Sequence, residues 1–199
     1  MVRRPGRPKR AAQNRPRALT IDEAGLLTGA PFITSPNCDS RPEDVETTLL
    51  VVHNISLPPG KFGGDDILRF FTNTLDCSAH PFFETLREVR VSAHFFLRRT
   101  GELIQFVPCG MRAWHAGVSE WRGRERCNDF SIGVELEGTD TEPYSDIQYE
   151  RLAALAAALL RRYPISEIVG HSDIAPDRKT DPGPAFDWTR FRTLLRQHR

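Results

Sequence analysis

Two histidines stand at the ends of buried apolar runs, where their side chains could bind a metal ion. His53 follows "LLVV" and His171 follows "IVG", and both runs are predicted strands. The carboxyl ends of sheet strands commonly border a binding crevice, so the two imidazoles converge if these strands are neighbours. Asp181 lies ten residues beyond His171. Two neutral imidazoles and one carboxylate are a common catalytic zinc set that leaves a fourth position for water.

The mixture of nitrogen and oxygen ligands favours Zn²⁺, because Mg²⁺ would need more oxygen ligands. The spacing of His53, His171 and Asp181 matches no regular motif, however, and a buried histidine is more often structural than a ligand. Residue types and spacing therefore predict a zinc site here but do not exclude structural roles.

A zinc hydrolase also needs a group that moves protons and a cation that stabilises an oxyanion. Glu135 lies in the predicted buried strand "SIGVE", where a carboxylate is costly unless it is paired or faces a cleft. Glu137 points to the same face, so periodicity does not separate the two, and a buried salt bridge is the structural alternative. Lys179, two residues before Asp181, fits the role of the cation, and its structural alternative is an ordinary solvated lysine.

Alternating strand and helix patterns must position these residues. Apolar runs predict buried strands at 47–54, 130–138 and 167–171 and a hairpin around "RRTG" within 90–108. Helical spacing and cap residues predict helices at 65–73, 145–164 and 187–199. The segment 171–184 is too rich in proline for either and is predicted to be a loop, with Asp173 and Asp177 as turn or cap residues. These elements indicate an α/β (α+β) single domain in which buried strands and helices share one sheet, with the candidate metal residues at the strand ends.

Composition separates a basic tail from the rest of the chain. The 199 residues have a net charge of +1, yet residues 1–20 contain seven basic and no acidic side chains. We expect a disordered tail at 1–20 and one folded domain at 21–199. The tail sequence "PGRPKR" resembles a DNA minor-groove motif, but a solvated tail without nucleic-acid binding is the favoured interpretation.

The chain lacks the patterns of a membrane or secreted protein. No apolar run reaches the length of about 18 residues needed to span a bilayer, and no apolar segment of a signal peptide follows the basic start. The four cysteines are scattered, which favours reduced thiols in a cytoplasm over a disulfide framework. We therefore expect a cytoplasmic monomer without membrane contact.

Several long blocks of the sequence resemble a known family. "LLVVHNISLPPG", "RAWHAGVS", "GRERCNDFSIGVELEGTD" and "GHSDIAPDRKTDPGPAFDW" are similar to the cytoplasmic anhydromuramyl-L-alanine amidases of the zinc amidase and peptidoglycan-recognition superfamily. The similarity runs from about residue 24 to residue 195 and leaves out the basic tail.

The resemblance implies a fold, a reaction and roles for individual residues. The implied fold is a single domain with a mixed central sheet flanked by α-helices and a zinc site in a cleft at the strand ends. It implies one catalytic Zn²⁺ held by His53, His171 and Asp181, with Glu135 rather than Glu137 as the catalytic carboxylate and Lys179 in transition-state stabilisation. It places substrate recognition at Asn54, Arg90, Trp114, Arg126 and Ala175. Trp114 could instead be a core residue.

The substrates implied are anhydromuropeptides, with or without N-acetylglucosamine. Their amide between the lactyl group of anhydro-N-acetylmuramic acid and L-alanine would be hydrolysed in peptidoglycan recycling, an activity that in the family also affects β-lactamase induction. The alternative is a non-catalytic peptidoglycan-binding module of the same superfamily, from which zinc ligands have been lost. The presence of all three predicted ligands together with Glu135 and Lys179 disfavours that alternative.

Overall fold

A five-stranded sheet lies at the centre of the protein in the computed structural model, which describes residues 18–198. The strands in these residues are β1 (Cys38–Ser40), β2 (Leu49–Ile55), β3 (Phe95–Leu97), β4 (Leu103–Gln105), β5 (Met111–Ala113), β6 (Glu120–Trp121), β7 (Arg124–Glu125), β8 (Ser131–Glu137) and β9 (Glu167–Gly170). The α-helices are α1 (Asp66–Phe71), α2 (Pro81–Glu84), α3 (Asp146–Arg162), α4 (His171–Ile174) and α5 (Trp188–His198). Two 3₁₀ turns lie at Cys77–Ala79 and Cys127–Asp129.

The order of the central sheet is β4-β3-β8-β2-β9. Strands β3, β8, β2 and β9 run parallel to one another, whereas the edge strand β4 pairs antiparallel with β3. The predicted mixed sheet and the predicted hairpin around "RRTG" are therefore confirmed. The condition under which His53 and His171 converge is met as well, because β2 pairs directly with β9.

Helices cover both faces of this sheet, because each strand buries side chains on alternate sides. One face packs Val52 and Val134 against apolar residues of α3 and α5, including Leu155 and Phe191. On the other face Phe96 packs with residues of α1 and α2. His53 and Glu135 alternate with the residues that face α3, so their side chains lie on the side opposite to that helix.

Helix α3 begins where the sequence predicts it. The hydroxyl of Ser145 accepts a hydrogen bond from the Gln148 backbone N–H, and the Gln148 side chain accepts one from the Ser145 N–H. This reciprocal capping satisfies two otherwise unpaired donors of the first turn. Nine residues of the helix are buried and face the core on the side of the sheet opposite to His53 and Glu135.

The segment 171–184 is not wholly irregular, contrary to the prediction of a loop. Residues His171–Ile174 form one helical turn, and the Asp173 carboxylate accepts a hydrogen bond of 2.7 Å from the Gly170 N–H at its start. The predicted capping role of Asp173 is confirmed by this bond. The sequence does not predict this turn because four residues are too few to show the apolar spacing of a helix.

The predicted tail lies almost entirely outside the described residues, since residues 1–17 are not among them. Thr20 already accepts a backbone hydrogen bond from Thr28, and Arg161 donates to the carbonyl of Leu19. Within residues 18–198, no helix has the length and apolarity to cross a bilayer.

Candidate metal and catalytic centre

Three potential ligand atoms converge at the ends of β2 and β9. His53 Nδ1 lies 2.9 Å from His171 Nδ1 and 3.3 Å from an Asp181 carboxylate oxygen, and that oxygen lies 3.1 Å from His171 Nδ1. A tetrahedral zinc ion with bonds near 2.0 Å holds its ligands about 3.3 Å apart, so this triangle matches one face of such a site. These three residues thus form a group able to hold a metal ion.

Strand register explains why these residues meet. His53 on β2 is paired with Glu135 on β8, and the preceding residue Val52 is paired with Gly170, the last residue of β9. His171 therefore enters at the same level as His53 and Glu135, across three adjacent parallel strands. The loop after α4 brings in Asp181, whose carbonyl accepts a hydrogen bond of 2.9 Å from the Ser172 N–H.

The chemistry of the three atoms fits a cation better than a hydrogen-bonded cluster. The other ring nitrogen of His171, Nε2, donates to the Ala116 carbonyl at 3.1 Å, which leaves Nδ1 as the ring nitrogen that can offer a lone pair to a metal ion. Asp181 is an acceptor when ionised, and although burial opposes its ionisation, the two facing imidazoles hold its pKa below the usual range. Burial lowers the pKa of His53 to about 4, so its ring is neutral at pH 7. A bound cation would remove the repulsion between these acceptors.

Glu135 faces this group with an unsatisfied oxygen. Its Oε2 is shielded from solvent and has no hydrogen-bond partner within residues 18–198. Burial raises the pKa of this carboxyl well above its usual range, and the charge of Asp181 raises it further, whereas the charge of Lys179 lowers it. A carboxyl group with a solvent-shielded and unpaired oxygen beside a candidate metal group is a functional signature rather than a stabilising feature.

The structure also separates Glu135 from Glu137. Both oxygens of the buried Glu137 accept backbone hydrogen bonds, one from Gly63 at 2.5 Å and one from Arg99 at 2.9 Å. Glu137 therefore ties two loops to the end of β8, whereas Glu135 keeps a free oxygen. Sequence periodicity could not make this distinction, because it depends on backbone donors that are distant in the chain.

Lys179 lies close enough to influence both Glu135 and His53. Its positive charge lowers the pKa of each, and its backbone N–H donates to the Ala175 carbonyl at 2.9 Å. The side chain is half-buried. This placement suits the predicted contact with a developing oxyanion, a role that stays a prediction.

Asn54 and two residues that the sequence did not single out, Asp140 and Tyr144, hold the loop of Asp181 in place. Asn54 Nδ2 donates to an Asp140 carboxylate oxygen at 2.8 Å and to the Pro182 carbonyl at 3.1 Å. The Tyr144 hydroxyl donates to the same carbonyl at 2.8 Å. Asn54 was predicted to bind substrate, and these bonds give its amide group an additional structural role beside the ligand Asp181.

Two of the predicted substrate-binding residues share one groove. Arg126 and Ala175 both line a groove of about 770 Å³ together with the exposed Val118 and the guanidinium-bearing Arg178. The Arg126 side chain also contacts Asp129 at 3.2 Å. An arginine on such a wall can bind a peptide carboxylate with two parallel hydrogen bonds.

The other two predicted recognition residues lie in different surroundings. Trp114 is half-buried, and its backbone bonds to Asn37 and Ser92. Arg90 is exposed, donates to the carbonyls of Arg87 and Val89, and lines a small separate pocket of about 50 Å³. The substrate-binding roles of Trp114 and Arg90 stay predictions.

Buried neutral histidines make the protein sensitive to acid. Burial lowers the pKa of His53 to about 4 and of His94 to about 3, and it holds the pKa of His115 well below 6.5. Below pH 6.5 these histidines bind protons in the unfolded chain but stay neutral in the folded chain. The free energy of unfolding is therefore highest above pH 6.5 and falls progressively towards pH 4. The expected loss is about 2 kcal/mol per histidine at pH 5. The raised pKa of Glu135 acts in the opposite direction and offsets part of this loss.

Urea unfolding of the zinc-free protein at pH 7 and pH 5 measures this effect. The variant His94→Gln should lose about one histidine's share of the pH dependence, whereas His198→Gln, at an exposed position, should keep the full dependence. A free energy of unfolding that is equal at the two pH values would contradict the assignment of buried neutral rings.

The family of the chain follows from comparison with known proteins. The N-acetylmuramoyl-L-alanine amidase family matches residues 43–184, a span that contains every residue of the centre described above. The chain belongs to this amidase family. Its predicted membership of the superfamily is therefore confirmed.

Individual relatives of the amidase are similar over nearly their full length. The 1,6-anhydro-N-acetylmuramyl-L-alanine amidase AmpD of Escherichia coli K12 is 62% identical over 175 residues, which cover 87% of this chain and 96% of the relative. The Haemophilus influenzae AmpD is 49% identical over 172 residues, which cover 85% of this chain and 94% of the relative.

Solved structures agree with the fold of the amidase. A crystal structure of a selenomethionine AmpD derivative superposes with a TM-score of 0.85 at 59% identity, covering 87% of this chain and 98% of that one. The amidase AmiD of E. coli in complex with the substrate anhydro-N-acetylmuramic acid-L-Ala-D-γ-Glu-L-Lys superposes with a TM-score of 0.56 at 30% identity, covering 77% and 60%. The predicted α/β fold is thus confirmed.

Proposed function

We propose that the protein is a zinc-dependent amidase of cytoplasmic peptidoglycan recycling. Its substrate would be an anhydromuropeptide, and the bond broken would be the amide between the lactyl group of 1,6-anhydro-N-acetylmuramic acid and L-alanine. The main support is the convergence of His53, His171 and Asp181 beside Glu135. In addition, the chain is 62% identical to the 1,6-anhydro-N-acetylmuramyl-L-alanine amidase AmpD of Escherichia coli K12. By the same similarity we propose that the activity influences β-lactamase induction.

The three converging residues would hold the metal ion that the reaction needs. His53, His171 and Asp181 would hold a zinc ion, whose chemistry when bound is to polarise the lactyl carbonyl and to make a water molecule more acidic. Two neutral imidazoles and one carboxylate leave the charge of such a site at +1, which favours an attacking oxygen that becomes negative.

Glu135 would move the proton. Its unpaired Oε2 is free to accept a proton from the attacking water and later to deliver it to the nitrogen of L-alanine as the amide bond breaks. The raised pKa of this carboxyl favours holding the proton between the two steps. Because Glu135 lies beside His53 in register, the proton acceptor and the metal group would flank the same carbonyl carbon of a bound substrate.

Lys179 would stabilise the oxyanion that forms on the lactyl carbonyl. Replacing Lys179 by alanine is expected to lower kcat by about 10²–10³-fold, because a charge aimed at the oxyanion contributes only in the transition state. Zinc content should stay at that of the wild type. The matched control is Lys61→Ala, at an exposed lysine, which should keep kcat. Wild-type kcat in Lys179→Ala would exclude this role.

The substrate class is tested by comparing two forms of peptidoglycan. The zinc-loaded protein is incubated with an anhydro-N-acetylmuramyl tripeptide and, separately, with intact sacculi. Release of free tripeptide from the anhydro compound supports the proposal. Release from sacculi alone would indicate a cell-envelope amidase, and release from neither would leave the non-catalytic binding module as the better description.

A further inference from the structure

A chain of hydrogen bonds leads from the metal group into the protein interior. His53 Nε2 lies 2.9 Å from His115 Nδ1, and His115 Nε2 lies 3.1 Å from the Ser131 hydroxyl. That hydroxyl in turn lies 2.5 Å from the Cys127 carbonyl oxygen. Every member of this chain is buried.

The Cys127 carbonyl, at the end of this series of hydrogen bonds, fixes which atom donates in each of them. A carbonyl oxygen can only accept, so the single hydroxyl proton of Ser131 points to Cys127. Ser131 must then accept from His115, whose Nε2 therefore carries a proton. In a neutral His115 ring the lone pair is on Nδ1, which accepts the Nε2 proton of His53. His53 Nδ1 is left with its lone pair facing His171 and Asp181.

A missing side chain on β8 makes room for the His115 ring. A Cβ atom added at Gly133 would lie 2.5 Å from both Cγ and Nδ1 of His115, which is an impossible contact. The backbone N–H groups of His115 and Ala116 both donate to the Asn128 side-chain oxygen, at 3.1 and 2.8 Å. The ring is therefore held from its backbone and enclosed at a glycine.

We infer that His115 is a positioning residue that selects the metal-binding tautomer of His53, with Ser131 setting the tautomer of His115 itself. The neighbouring Ala116 carbonyl does the same for His171, since it accepts the Nε2 proton of that ring at 3.1 Å. One short segment thus orients both histidine ligands. Partners that fix the orientation and tautomer of a ligand typically change metal affinity by about 10–100-fold.

The inference rests on the proposed zinc site, and its test separates the two claims. Zinc dissociation constants are measured by chelator competition for the wild type, His115→Phe, His115→Asn and Ser131→Ala. His115→Phe keeps a ring but removes the acceptor, so we expect zinc affinity to fall by about 10–100-fold. His115→Asn places an oxygen near the position of Nδ1 and should recover most of that loss. Ser131→Ala should cost a smaller factor, about 3–10-fold.

Ring ¹⁵N NMR of the zinc-free protein gives a readout that a purely structural role would not move. In the wild type we expect the Nε2–H tautomer for both His53 and His115, and in Ser131→Ala a mixture of tautomers at His115. Absence of zinc binding by the wild type would refute the zinc site itself. Wild-type affinity in the folded variants, or an Nδ1–H tautomer at His115, would overturn the positioning role. If His115→Phe does not fold, Ser131→Ala and the NMR spectra decide alone.

Discussion

Replacing Glu135 by glutamine is expected to lower kcat by about 10²–10⁴-fold, because the variant cannot move the proton between water and the leaving amine. Zinc should remain bound with wild-type stoichiometry, since Glu135 is not among the three converging ligands. Glutamine keeps the size of the side chain, so the effect reports on proton transfer rather than on packing. Kinetics with an anhydromuropeptide and metal analysis of the same sample measure both quantities.

The neighbouring carboxylate provides the matched control. Glu137→Gln should keep kcat within a few-fold of the wild type but reduce the free energy of unfolding by about 1–3 kcal/mol, because an amide NH₂ would face the backbone N–H of Gly63 or Arg99. The reverse pattern, with activity lost in Glu137→Gln and kept in Glu135→Gln, would show that Glu137 rather than Glu135 is the catalytic carboxylate.

Removing the metal is expected to have an effect of similar size. A chelator should reduce activity by about 10³-fold or more, because the Lewis acid supplies several kcal/mol of transition-state stabilisation. Added Zn²⁺ should restore the activity and raise the unfolding free energy by about 2.7 kcal/mol at a concentration 100 times Kd. His171→Ala should lose both responses, whereas His198→Ala, at an exposed position, should keep them. Activity that survives in protein free of zinc would contradict this prediction.

The group of His53, His171 and Asp181 can be predicted from the sequence because of the sheet topology. His53 and His171 follow buried runs, and parallel strands end at the same edge of a sheet, so adjacency of two strands suffices to bring them together. Asp181 needed only a loop that returns to that edge. The resemblance to the amidase family supplied the same three residues independently.

Other parts of the centre depend on contacts that no sequence pattern encodes. Glu135 and Glu137 share a strand face, and only the backbone donors of distant loops distinguish them. The role of His115 depends on the space above Gly133 and on a serine that follows the Cys127–Asp129 turn. These features arise from register and packing, which periodicity does not resolve.

Short elements escaped prediction for a different reason. The pairs β1–β5 and β6–β7 contain two or three residues per strand, and α4 is a single turn. Alternation or helical spacing needs longer windows to become visible. The long elements that carry the core, such as α3 and β8, were predicted to within one or two residues.

Isotope labelling identifies the bond that the protein hydrolyses. The zinc-loaded protein is incubated with an anhydro-N-acetylmuramyl tripeptide in H₂¹⁸O, and the ¹⁸O content of each product is measured by mass spectrometry. We predict one ¹⁸O atom in the lactyl carboxylate of anhydro-N-acetylmuramic acid and an unlabelled tripeptide with a free L-alanine amine. Label in a peptide carboxylate, or no product from protein that holds one zinc ion, would contradict the account.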